Sequence, residues 1–376
     1  MALIANGVAV QPQKTQPVII NGDMAVAQRS TSVTGHNAVS YTTVDRFKTV
    51  AEVGTYTVIQ ESLTSGAAYL AGFRNALRLD CTTAEATAGS AGDQTTVEQR
   101  IEGGNLQAWR KGTASAQPFT LAFWVKSNKT GSNLQVNLRD SDNSRQIGGT
   151  YDISVADTWE HKVINFAADT TGAFNDDNGL SLTIEWFLDG GSNYSGGAVD
   201  TTWGANDNTD RNVTNFDLAG STDNDWAITG VQLEVGTFSS TDLPPFQFES
   251  YGENLTRCSR YYTSINQNGA NGWRTFPGRI SGTTDVENIG VTLPTFLRTG
   301  NPTVTKSGSC VAQVWDENGY HATSAGGGTF SILTDSGNST PYLHCKQTGF
   351  TGLHNEGAGN ISFVLGTPSI AVDAEL

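Results

Sequence analysis

Leu134, Val136 and Leu138 alternate with Gln135, Asn137 and Arg139. Leu180, Leu182, Ile184 and Trp186 alternate in the same way with Ser181, Thr183 and Glu185. A period of two sends alternate side chains to opposite faces of an extended backbone, so both segments read as half-buried strands. Trp159–Phe166 is a third strand. Phe119-Thr-Leu-Ala-Phe-Trp-Val125 is apolar at nearly every position, as a strand covered on both faces would be. The segments between, 140–149, 169–179 and 189–222, are rich in Gly, Asn, Asp and Ser and read as loops. In Trp226–Val235 the phase slips: Trp226 and Ile228 are apolar at even positions, Val231, Leu233 and Val235 at odd ones. The slip falls at Gly230, which predicts a β-bulge there.

Composition agrees with strands. Only 16% of the 376 residues are charged and 42 are Gly, whereas helices draw on Ala, Leu, Glu and Lys. No helical crossover separates the strands, which argues against a parallel α/β sheet. The spacing of strands and long loops predicts a jelly-roll β-sandwich over 20–246. Pro244-Pro245 marks its end. A short helix should follow within 247–262, where Ser250 and Glu253 form a capping box and Leu255, Cys258, Tyr261 and Tyr262 fall on one stripe. A shorter helix, 106–110, could be capped by Asn105. Residues 263–376 return to strand and turn, with 291–294, 301–305, 310–315, 329–333 and 361–365 the clearest strands. The expected fold is therefore all-β: a jelly-roll sandwich, then a smaller β-rich C-terminal domain, joined by one short helix. Residues 1–19, interrupted by Pro12 and Pro17, read as an extended arm.

Several classes drop out. Hydrophobic residues make up 37% of the chain, with eight Trp, which disfavours disorder. No run approaches the ~20 apolar residues of a membrane-spanning helix. Met1–Val10 lacks a basic region and a long apolar stretch, which predicts folding in a cytoplasm. Residues before 257 hold 15 basic and 29 acidic side chains; the remainder holds seven and eight. So acidic a first part is a poor grip for nucleic acid. The four Cys (81, 258, 310, 345) make no zinc spacing and read as buried thiols, with a Cys310–Cys345 bridge left open. There is no GxSxG, HExxH or P-loop. The carboxylate pairs Asp176-Asp177 and Asp316-Glu317 would point to opposite faces if strand-bound, so they make poor catalytic dyads. His321, His344 and His354 read as hydrogen-bonding residues.

A set of linked motifs resembles bacteriophage tail-fibre and virion-appendage proteins. They are Asn21–Arg29, Tyr41–Phe47, Gln99–Gly103, Thr120–Ser127, Trp226–Gly236, Phe246–Tyr251 and Arg257–Tyr262, with Leu293-Pro and 297–305 following. The resemblance covers about 20–305. It implies a jelly roll similar to carbohydrate-binding modules and a C-terminal tip domain. It also implies a homotrimer, mounted on other virion proteins through residues 1–19, that binds host-surface polysaccharide without catalysis. The chain would then reside in the virion after assembly in the host cytoplasm. There is no coiled-coil stalk and no β-helix repeat, so a head decoration or tail-assembly protein is the alternative.

Sugar binding needs aromatic faces beside hydrogen-bonding side chains. Trp124, Trp159, Trp186 and Trp226 lie within strand patterns and are expected in the core. Tyr194 and Trp203 in polar loops, and Trp273, Trp315 and Tyr320 in the last domain, are the candidate glycan contacts. No cofactor is required. Modules of this type hold structural calcium, for which Asp176, Asp177, Asn178, Asp207 and Asp210 are oxygen-bearing candidates.

Overall fold

The computed structural model describes residues 4–5, 8–9, 16–85, 89–266, 274–300, 302–306, 311–316, 319–324, 327–334, 342–354, 358–364 and 369–376. The chain is all-β and divides into two units. The first comprises Met1–Ala25, Ser32–Ser40 and Lys48–Ser250; the second comprises Val26–Thr31, Tyr41–Phe47 and Tyr251–Leu376. Of the arm, only the backbone pairing of Ile4–Ala5 with Val8–Ala9 and residues from 16 onward are described.

The first unit is a sandwich of antiparallel sheets. A seven-stranded sheet runs Gly204–Ala205, Arg145–Ile153, Gly131–Asp140, Leu180–Gly190, Gln94–Glu102, Phe47–Ala51, Val39–Tyr41. A six-stranded sheet runs Glu160–Phe166, Phe119–Lys126, Asp225–Val235, Asn75–Thr83, Thr55–Ser62, Ser32–His36. Leu134, Val136 and Leu138 face inward and are buried, with Val136 opposite Trp186 and Leu138 opposite Ile184. The sheets meet where Phe123 packs edge-on against Tyr151 and Trp186, at centroid distances of 5.2 and 5.6 Å. The bulge is where the phase slip put it. The pairing of Asp225–Val235 with Phe119–Lys126 shifts register between Thr229 and Gln232, and Gly230 sits at φ 63°. A Cβ at Gly230 would lie 2.6 Å from the Phe73 ring, so close packing as well as backbone angle demands glycine. Where 106–110 was expected to be helical, the chain makes two 3-10 turns, Gly103–Asn105 and Gln107–Trp109, ended by Arg110 in the left-handed region.

The second unit has a seven-stranded sheet: Gly319–Ala322, Val311–Asp316, Ala358–Val364, Arg274–Ser281, Asp285–Thr292, Tyr342–Gln347, Phe330–Thr334. A three-stranded sheet adds Tyr262–Asn266, Ser369–Asp373 and Thr303–Lys306. Ile280, Val286, Val314, Ile361, Phe363 and Val372 are among its core. Helix Tyr251–Ser259 belongs to this unit. Its buried face carries Asn254, Cys258 and Ser259, while Leu255 is only half-buried, so the face is turned by one residue from the expected stripe. The Cys258 thiol faces Asn254 Oδ1 at 3.7 Å, which favours the polar residue on the inside. Cys81, Cys258 and Cys345 are buried free thiols; Cys310 lies outside the described residues.

Two strips from the start of the chain complete the second unit. Arg46 is fully buried, pairs with the Glu375 carboxylate, and lies 3.4 Å from the centroid of the Tyr261 ring. Arg29 stands 3.6 Å over the Tyr262 ring, with Asp373 at 3.1 Å and Glu375 at 3.5 Å. Gln28 donates to the Tyr262 carbonyl and to Asp45, both at 2.6 Å. From the other side, Arg298 donates to the carbonyls of Ala374 and Glu375, at 2.8 and 3.0 Å. Burial alone would strip the Arg46 proton more easily; the groups around it, Glu375 first and then Tyr261 and Tyr41, together outweigh burial and keep the guanidinium charged.

A chain of 251–376 would lack both strips and leave the buried Glu375 without Arg29 or Arg46. Removing one partner of a buried ion pair costs about 3–5 kcal/mol, a large part of the stability of so small a unit. Expressed alone, 251–376 should give no cooperative thermal transition, and Arg46→Met in the full chain should lower the melting of this unit. A sharp calorimetric transition for 251–376 alone would refute the requirement.

Candidate functional site

The outer face of the seven-stranded sheet is polar and closed. Glu185 is fully buried between Arg211, which forks onto both its oxygens, and Arg139, 3.4 Å from Oε1. Asn137 donates to its Oε2 at 3.2 Å. Burial would raise the Glu185 carboxyl, but the Arg211 and Arg139 charges outweigh it and hold the group below its ordinary range. Arg211 comes from the long loop, so this cluster ties the loop to the sheet. Tyr194 is part of that cover. It is 8% exposed, packs at 5.2 Å on Phe187, has the Arg211 guanidinium 4.9 Å from its ring, and donates its hydroxyl to the Gly92 carbonyl. Trp203 is 8% exposed as well. Its indole N–H donates to the Ala167 carbonyl and its ring lies 5.9 Å from Phe119. Neither ring has a free face for a sugar, which corrects the expectation for both. Trp273 lies outside the described residues.

The calcium candidates divide between two loops, in which Asp177 and Asp207 cap turns and Asp210 bonds across to Ala198. Asp177 Oδ1 accepts from Gly179 N, Asp207 Oδ1 from Thr209 N and Oγ1, and Asp210 Oδ1 from Ala198 N. Asp176 is exposed. Among the described residues no group of three or more His, Cys, Asp or Glu is placed to hold a metal ion. An oxygen-lined cage does exist nearby, and Lys111 fills it. Its ammonium, wholly buried, meets Asp140 at 2.5 Å, Asp169 at 2.9 Å, and the carbonyls of Gly172 and Thr171 at 2.7 and 3.3 Å. Trp203 and Phe174 shield it, with ring centroids 4.9 and 5.0 Å away.

Exposed aromatic surface is found in the second unit. Val311–Asp316 pairs with Gly319–Ala322, and the register sets Trp315 directly opposite Tyr320. Alternation explains their side: Ala312 and Val314 go to the core, so Trp315 points away from it. Trp315 is 64% exposed and Tyr320 47%, with centroids 5.0 Å apart and planes tilted by 55°. Gln313 pairs with Ser362 in the next strand, and Asn360, two residues back, is exposed on the same face. Hydrogen-bonding side chains thus flank the rings. On the other face, His321 Nε2 meets Asp316 Oδ1 at 2.9 Å, and its Nδ1 meets the Thr351 carbonyl at 2.9 Å. The second Asp316 oxygen accepts from His354 N at 2.6 Å. Both oxygens of Asp316 are therefore occupied in bracing the hairpin to 351–354. Two rings on one rigid hairpin, bordered by amides and a hydroxyl, suit stacking against the C–H face of a sugar.

No protein-family model and no curated protein matches the chain. Among solved structures, it aligns over 58% of its length with the enzymatically active domain of tailspike protein 4 from bacteriophage CBA120, covering 21% of that chain at 14% identity and a TM-score of 0.29. The same share aligns with all of a Bacteroides thetaiotaomicron protein described as sugar-binding, again at 14% identity and 0.29. A CBM22 tandem from Paenibacillus barcinonensis is matched over 94% of this chain and 92% of its own, at 10% identity and 0.26. Likenesses this slight assign neither a family nor a ligand.

Trp203→Ala should act on stability. Emptying a packed Trp site costs about 3–5 kcal/mol, so melting of the sandwich should fall; an unchanged melting temperature would mean that the ring is not core. Glu185→Gln should cost about 3–5 kcal/mol at neutral pH, because Arg211 keeps its charge and loses its partner. A carboxyl held low in the folded state stabilises above its unfolded value, 4.5, and that contribution is lost as pH falls through the lower folded value. Urea unfolding from pH 7 to 3 should show wild type losing stability faster than Glu185→Gln below about pH 4.5. Parallel acid slopes for the two proteins would contradict this.

Proposed function

We propose that this chain is a non-catalytic bacteriophage appendage protein that binds host-surface glycan through the Trp315–Tyr320 pair. The observation that carries the reading is the pair itself: two large rings, more than half and nearly half exposed, held 5.0 Å apart on a braced hairpin. Large aromatic faces left in water are costly unless something covers them, and a pair ringed by polar side chains suits a polyol better than an apolar partner. The motif resemblance supports assignment to a virion appendage, assembly as a homotrimer, and mounting through residues 1–19.

Trp315→Ala and Tyr320→Ala should each weaken binding to host cells or isolated surface polysaccharide by about 1–3 kcal/mol, as aromatic anchors do. Melting should barely change, since neither ring is in the core. Surface plasmon resonance on immobilised polysaccharide, with calorimetric melting as control, reads both effects. If wild type binds neither cells nor polysaccharide, the receptor reading fails, and a virion decoration role takes its place.

A further inference from the structure

We infer that the sandwich carries a second ligand site: a cleft at the edge of its six-stranded sheet that accepts a short neutral oligosaccharide. The inference rests on the glycan-binding reading above and adds to it a subsite on the other unit.

The cleft holds about 560 Å³, in the range of small-ligand sites. Its floor is the edge strand Glu160–Phe166. His161, Val163 and Asn165 lie opposite Trp124, Ala122 and Thr120, and so share one face of the sheet. Its far wall is the segment 237–242, and that wall is fixed in place. Asn165 donates to the Phe238 carbonyl at 2.9 Å and accepts from Phe238 N at 3.2 Å. Asp242 Oδ1 accepts from both the N–H and the hydroxyl of Ser239, each at 2.5 Å. A wall already ordered adds little entropy cost to binding.

The groups facing the cleft match sugar chemistry. The His161 ring lies against Trp124, centroids 4.9 Å apart and planes tilted by 32°, and neither ring nitrogen has a hydrogen-bond partner among the described residues. Burial pushes its imidazole down, towards the neutral form. A neutral imidazole presents one donor and one acceptor, as a hydroxyl requires. Asp242 is an exposed carboxylate held low by its Ser239 bonds, and so stays an acceptor. Phe238 and Val163 supply apolar surface for ring C–H groups. The cation of the site, Lys162, is bonded to Glu160 at 2.7 Å. With that charge matched and Asp242 opposite, nothing selects for an acidic sugar.

The test is calorimetric titration of the full chain with maltotriose, cellotriose, chitotriose and trigalacturonate. Variants are His161→Ala, Ser240→Trp, which fills the cleft from an exposed position, and Trp315→Ala. At least one neutral trisaccharide should bind wild type. His161→Ala and Ser240→Trp should each weaken it about tenfold or more, the loss of one or two hydrogen bonds, and Trp315→Ala should leave that binding measurable. Melting temperatures identify any variant that fails to fold, and His161→Ala alone then decides. The cleft is refuted if no neutral trisaccharide binds, if only trigalacturonate binds, or if binding survives both cleft variants. Binding that survives them but falls with Trp315→Ala rejects the cleft and leaves the Trp315 site standing. Loss in the cleft variants with none in Trp315→Ala upholds the cleft and counts against the hairpin.

Discussion

A buried arginine dictates how the second unit must be built. Arg46 is fully out of water, and such a cation survives only where an opposite charge and a polarisable face meet it. Glu375 supplies the charge and Tyr261 the face. Arg46 and Glu375 stand 329 residues apart in the chain, so this unit closes only when residues 26–31 and 41–47 have joined 251–376. Arg29 repeats the arrangement one step away, with Tyr262, Asp373 and Glu375. The consecutive tyrosines each receive one guanidinium. This gives the linked motifs a physical reason to occur together: Gln28, Arg29, Asp45, Arg46, Tyr261 and Tyr262 are parts of one cluster.

The sandwich solves a related problem with its loops. A loop of more than 20 residues between strands would be mobile unless tied down. Arg211 ties the 191–224 loop to Glu185, and Lys111 ties its own segment to two others, through Asp140 and through Asp169 with the 171–172 carbonyls. Both of these buried cations have a carboxylate partner, and both sit under aromatic cover from Tyr194, Trp203 or Phe174. That cover is the work of the aromatics in these polar loops. A ring covering a charged cluster is not available to a ligand, which moves the search for binding surface elsewhere.

How much of this was legible in the sequence follows from what periodicity encodes. Alternation tells which residues share a face, so the strands at 119–126, 131–140 and 180–190 and the inward set Leu134, Val136, Leu138 could be read directly. The bulge at Gly230 was legible because a phase slip and a glycine coincide there. Periodicity does not tell what covers the other face. Glu185 reads as a solvent-facing strand residue, and only the return of Arg211 from 26 residues away buries it. For the same reason Trp203 and Trp315 look alike in sequence, as aromatics among polar neighbours, yet one is core and the other open. The signal that separates them was present: Trp315 falls out of phase with Ala312 and Val314, whereas Trp203 has no strand phase at all. The helix face departs by one position from the hydropathic stripe: hydropathy ranks Leu255 above Asn254, yet Asn254 is the buried residue, with its side-chain oxygen facing the Cys258 thiol.

Exposure of Trp315 and Tyr320 is enforced. Turning Trp315 inward would require shifting the Val311–Asp316 strand by one residue, which would push Ala312 and Val314 out of the core. Sliding of the hairpin is opposed from beneath, where Asp316 and His321 are bonded to each other and to 351–354. The sheet therefore spends two large apolar side chains on solvent while holding them rigid. Rigid aromatics are the arrangement in which stacking on a ligand loses least to conformational entropy. The chemistry of the core on one face is thus what keeps an aromatic surface exposed on the other.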